Sequence, residues 1–187
     1  MKPIQVPLTL PAELSPILAA SLLGATTLDW LSASEVPAPC QGLLVHDHDM
    51  TSELAGFHHD SINLTVLQSY QSGGIYFREV TLHAATTGHP VEYGLIEILL
   101  ESFPPELRPL ILAGETPLGA ILTTSGLDFR SEPQGYFSIP AKGLSSVFPR
   151  SSPDALLFGR YNHLLRGEDT CLARILEILP PVPRDPL

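Results

Sequence analysis

The chain has 187 residues, 44% hydrophobic and 16% charged, with 10 Lys+Arg against 20 Asp+Glu and a formal net charge of −10. At roughly 150 residues per domain, this length predicts one domain, 1–187, with room for a sizeable core. The acidic balance argues against nucleic acid, whose phosphates need clustered cations, and requires any anionic ligand to be captured by local groups.

The opening "MKPIQVPLTLPAELSPILAASLLGA" carries one Lys, then prolines at 3, 7, 11 and 16 with Glu13 inside, which spoils the apolar core of a signal peptide. No run reaches the roughly 18 apolar residues of a membrane span, so the expectation is a soluble cytoplasmic protein without a membrane partner. Within residues 1–40 two short helices are read around Ala12 to Leu23 and Thr27 to Ser32, and "EVPAPCQG" follows as a loop. Cys40 and Cys171 lie far apart with no CxxC, signalling neither a zinc site nor a disulfide framework.

In "HDHDMTSELAGFHHD", Asp49 is a helix N-cap, Met50 to Ala55 a short helix and Gly56 its stop. "SINLTVLQSYQ" alternates as a strand with Leu67 out of step. "SGG" turns into "IYFREVTLH", and "AATTGHP" turns again into "VEYGLIEILLES". Three strands on short loops form an antiparallel meander. "PPELRPLILAG" is a short helix closed by Gly114; "ETPLGAILTTSG" is a cleaner one, with Thr116 as N-cap, Pro117 at its first position and Gly126 past its end. Residues 127–153 are rich in Ser, Pro and Gly and read as an irregular insertion, a lid or mobile loop. "DALLFGRYNHLLRGEDTCLARILEILPP" is a hairpin turning at "RGED", and 182–187 is an extended tail. Strands, helices, then strands give an α+β domain: an antiparallel sheet with helices packed to one side.

Two strands carry a charge on an apolar row. Arg78 alternates with Tyr76, Val80 and Leu82, and Glu177 with Ala173, Ile175 and Leu179. Either the two are exposed on a half-solvated sheet or paired structurally, or they are the ends of a polar pocket. The helix starts at Met50 and Leu118 offer backbone donors of the kind that bind carboxylates and phosphates. Arg160 in "LFGR" reads as a structural salt bridge and the reserve cation, and His46, His48, His58 and His59 as solvated loop residues rather than a metal site.

The blocks "HDHDMTSEL", "YFREVTL", "HPVEYGLIEI", "GETPLGAIL", "LFGRYNHLL" and "LEILPP" occur in the same order and similar spacing as in chorismate pyruvate-lyases, and over residues 43–181 the chain resembles that chorismate lyase-like family. The resemblance implies an antiparallel sheet of about six strands, helices on one side, and helical flaps over a buried ligand. It implies catalytic roles for Arg78 and Glu177, and substrate contacts from Met50, Arg78, Gly94, Leu118 and Glu177, Gly94 leaving room for a ring. The implied reaction removes pyruvate from chorismate to give 4-hydroxybenzoate, a quinone precursor, with no metal or cofactor. Such catalysis works by positioning and preorganised charge. Asp49 stands where the family usually has Ser, and 127–153 is longer than in the bacterial enzymes. The rival implication of the same fold is a non-catalytic sensor of an aromatic acid, since effector-binding domains of some transcription regulators share it.

Overall fold

The computed structural model describes residues 11–181, apart from residues 13 and 25. The tail expected at 182–187 lies outside them. Seven strands form one antiparallel sheet in the order β1-β5-β6-β7-β4-β3-β2. The meander is as read: β2 (Ile62–Ser72), β3 (Ile75–Ala84) and β4 (Pro90–Leu99), with Gly73 and Gly74 at positive φ in the first turn. Leu67 is out of step because the β2–β3 register slips between Val66 and Gln68, a bulge that leaves it exposed. The hairpin of β6 (Leu156–Arg166) and β7 (Thr170–Ile178) turns at Gly167, φ 59°, and β7 docks on β4.

Four expectations about the elements fail. "EVPAPCQG" is not a loop: Ala38–Leu44 is helical, with Pro37 at its N-cap. Thr27 to Ser32 is not helical: β1 (Asp29–Leu31) pairs with β5, because Trp30 packs edge-on to Phe137, a tertiary contact that overrides local propensity. The irregular stretch from 127 contains β5 (Arg130–Pro140), which pairs with β6 along its length; its Pro133 and Gly135 are absorbed in a bulge. Gly56 does not stop its helix, which runs to His58 and ends on His59 at φ 50°.

Both sheet faces are buried. On one, helix α1 (Leu14–Ala19) and Leu144 and Phe148 cover Phe77, Tyr93, Leu95, Phe137, Leu176 and Ile178. On the other, α2 (Ala38–Leu44) and α3 (Met50–His58) pack on Leu82, Tyr136 and Leu179, while α4 (Arg108–Ala113) and α5 (Leu118–Ser125) pack on Tyr76, Val80, Ile96 and Ile175. Four of the five described α-helices therefore share one face, and the candidate site lies between them and the sheet. On the α1 face Glu79 is buried but satisfied: it accepts from the Leu22 N–H at 2.9 Å, the Gln68 amide and the Tyr93 hydroxyl.

Candidate functional site

The period-two reading of β3 holds, and it buries Arg78 on the four-helix face with 0% exposure. None of its three guanidinium nitrogens has a hydrogen-bond partner. A buried ionised group without partners is costly, and burial pulls the Arg78 pKa down to about 10, still ionised at neutral pH. Arg78 lines a cavity with Met50, Thr51, Val80, Leu82, Glu92, Ile96, Leu118, Gly119, Ile175 and Glu177 among its walls. The cavity measures about 40 Å³, room for only a few waters, so an aromatic acid enters only if the covering helices move.

Those helices present their N-termini to it. Asp49 caps α3, accepting from the Ser52 N–H at 2.9 Å, which leaves the Met50 and Thr51 amides without an intrahelical acceptor. The cap of α5 differs from expectation: Pro117, not Thr116, is the N-cap residue, Leu118 is the first helical residue, and no side chain caps the turn. Pro117 has no hydroxyl to offer, so the first amides of α5 also lack an intrahelical partner. The two starts touch through Gly119, where an added Cβ would lie 2.6 Å from Asp49 Oδ1.

Glu177 also lines the cavity, yet it is not Arg78's counter-charge. Register places it opposite Gly94 and hence two strands from Val80, one same-face step away from Arg78. Its partner is Arg160, directly opposite on β6, whose Nε donates to Glu177 Oε2; the two side chains are 0% and 5% exposed. Arg160 further donates to the carbonyls of Leu44, His46 and His48 at 3.4, 3.1 and 3.3 Å, holding the loop that leads into α3. The salt bridge read for Arg160 is thus present, and its partner is Glu177, the carboxylate to which the resemblance gives a catalytic role.

Gly94 is not a wall of the cavity: its missing Cβ would sit 3.1 Å from Val80 Cγ2 and 3.3 Å from Glu92 Oε1, so its smallness accommodates neighbouring side chains rather than a ligand ring. The sequence reading missed Glu92. It is 3% exposed, its Oε2 has no partner, and burial, then repulsion from Glu177, hold its pKa well above the usual carboxylate range, with Arg160 pulling the other way. Its signal was present: in "HPVEYGLIEI", Glu92 shares the alternating row of Gly94 and Ile96.

Of the histidines, His46 and His48 meet Glu53, one donor atom from each lying within 4.8 Å of the others; His58 and His59 sit at the far end of α3. His46 Nε2 faces the Leu43 carbonyl at 2.8 Å, and its Nδ1 receives an Arg160 N–H at 3.3 Å, a positive neighbour that opposes a metal cation there.

No family model and no curated protein matches the sequence. Among solved structures, the chain is similar to PhnF from Mycobacterium smegmatis (TM-score 0.53, 13% identity, 71% of this chain and 63% of that chain). It is likewise similar to the effector domain of PhnF crystallised alone (TM-score 0.55, 13% identity, 71% of this chain and 88% of that domain). The chain thus spans less than two thirds of full-length PhnF. These matches correct the expectation of a lyase. The solved structures that share this fold include an effector domain and its parent chain, and Glu177 is hydrogen-bonded to Arg160. No described helix is long and apolar enough to cross a membrane. The chain has the chorismate lyase-like α+β fold, which it shares with the effector domain of PhnF.

Proposed function

We propose that this chain is an effector-binding domain that senses a small carboxylate or similar anion, bound between the sheet and the starts of α3 and α5. The observation that carries this reading is Arg78, fully buried, unpartnered at all three nitrogens, and lining a cavity between two helix N-termini. An ion placed so costs several kcal/mol of folding free energy unless a ligand answers it. The Met50 and Leu118 amides add donors at the positive ends of two dipoles. Asp49 adds a negative charge at the rim, which favours a weakly charged anion over a highly charged one. The likeness to an effector domain supports sensing, and Glu177 serves as a structural partner of Arg160 rather than as a base.

The test uses calorimetric titration of benzoate and 4-hydroxybenzoate, with pyruvate release from chorismate followed in parallel. Binding without pyruvate release is expected. Arg78→Met removes the buried charge and keeps an unbranched apolar stem, so it should abolish binding while stabilising the free protein by about 1–4 kcal/mol. Undiminished binding in that variant would falsify the site.

A further inference from the structure

We infer that Glu92 reads the far end of the ligand: the cavity selects a monoanion whose charged group meets Arg78 and whose other end carries an uncharged hydrogen-bonding group, and it rejects dianions. The inference rests on the effector-site reading above and names the ligand class of that same cavity.

Glu92 and Arg78 line one cavity, and each has an unpartnered polar atom there. Glu92 pairs with Leu82 in the β3–β4 register, two same-face steps from Arg78, so their backbones lie roughly 14 Å apart, with both side chains shortening the gap. Val80 lies between them on β3, and the cavity's other apolar walls are Leu64, Leu82, Ile96, Leu164 and Ile175, with Glu177, in the Val80 row, to one side and already paired with Arg160. The ligand shape this fits is an anionic head, an apolar middle and a polar tail.

The charges facing Glu92 decide what tail it accepts. Glu177 approaches from β7, Arg160 from β6, and Asp49 lines the cavity from α3. Arg160 is already engaged by Glu177 and three loop carbonyls. Burial and the Glu177 charge keep the Glu92 carboxyl protonated above its ordinary 4.5. A neutral acid offers one O–H donor and one carbonyl acceptor, complementary to a hydroxyl, carbonyl or amide. A second carboxylate there would meet Glu177 and Asp49 with only one compensated cation nearby, a like-charge encounter in a poorly solvated space.

Benzoate, 4-hydroxybenzoate and terephthalate share one ring and separate the alternatives. Titrated at pH 7, the hydroxy acid should bind about tenfold tighter than either of the others. Glu92→Gln, which imitates the neutral acid, should keep that preference, and Glu92→Leu should bring 4-hydroxybenzoate to within about threefold of benzoate. Terephthalate binding as tightly as the hydroxy acid, or a preference that survives Glu92→Leu, overturns the inference. Failure of all three acids to bind sinks the effector-site reading and this one with it. A ligand-free readout separates the two: carboxyl carbon NMR of the free protein should show Glu92 protonated at pH 7, and an ionised Glu92 overturns the inference even where binding through Arg78 is intact. The stability sign agrees with that state. A raised folded pKa gives a contribution that is full below about 4.5 and lost as pH rises, so Glu92→Gln should gain stability over the parent between pH 5 and 8.

Discussion

Arg78 and Arg160 are both fully buried on adjacent regions of one sheet, yet their energetics are opposite. Arg160 has a carboxylate, three backbone carbonyls and the His46 ring as acceptors, so its charge is compensated where it lies. Arg78 has none, and on the proposed reading its partner is the ligand. Glu79, the next residue on β3, shows the third arrangement: a buried acid pinned by Leu22, Gln68 and Tyr93 on the opposite face, tying the segment after α1 to the sheet. Removing one member of a compensated pair strands the other. Glu177→Gln should therefore cost about 3–5 kcal/mol in urea denaturation at pH 7. A loss under about 1 kcal/mol would mean that the loop carbonyls alone satisfy Arg160.

At the scale of elements, the site is made where two helix starts meet. Asp49 holds the first turn of α3 through Ser52, and α5 approaches so closely that a Cβ at its second residue would crowd the Asp49 carboxylate. In Gly119→Ala the new methyl, 2.6 Å from Asp49 Oδ1, must push the carboxylate off its cap. The expected cost is about 1 kcal/mol, with faster hydrogen exchange at the Ser52 amide. Unchanged exchange there would show that α5 yields instead of the cap. Gly119 was not legible beforehand, because a close approach between helices some 70 residues apart in sequence leaves no local pattern. β5 was hidden for a related reason: its Pro133 and Gly135 read as loop residues, and only pairing with β6 makes a strand of them.

At the scale of the molecule, a chain with net charge −10 surrounds a buried cation whose cavity holds only a few waters. On the proposed effector-site reading, long-range repulsion and local capture would act on an anion in sequence: the first would slow its approach, and the second would hold it once α3 and α5 have parted. Salt screens the approach far more than the buried contact, since the Debye length falls from about 30 Å at 0.01 M to about 3 Å at 1 M. Stopped-flow association of benzoate should therefore quicken as ionic strength rises, and a rate that falls would place an attractive surface field at the entrance. The alternating rows of β3 and β7 put Arg78 and Glu177 in line with apolar neighbours without settling that those rows are buried, the meander and the last hairpin followed from turn residues, and the motif order pointed to the fold, because these features arise from neighbours in sequence. Which acid answers which arginine was decided only by tertiary register: β6 lies beside β7, so Arg160 rather than Arg78 neutralises Glu177, and β4 lies between β7 and β3, so Glu92 joins Glu177 in lining the cavity. Alternation gives a side chain its face, whereas its partner is set by strand order across the sheet, and that order is what turns the expected catalytic pair into a structural bridge and an unanswered cation.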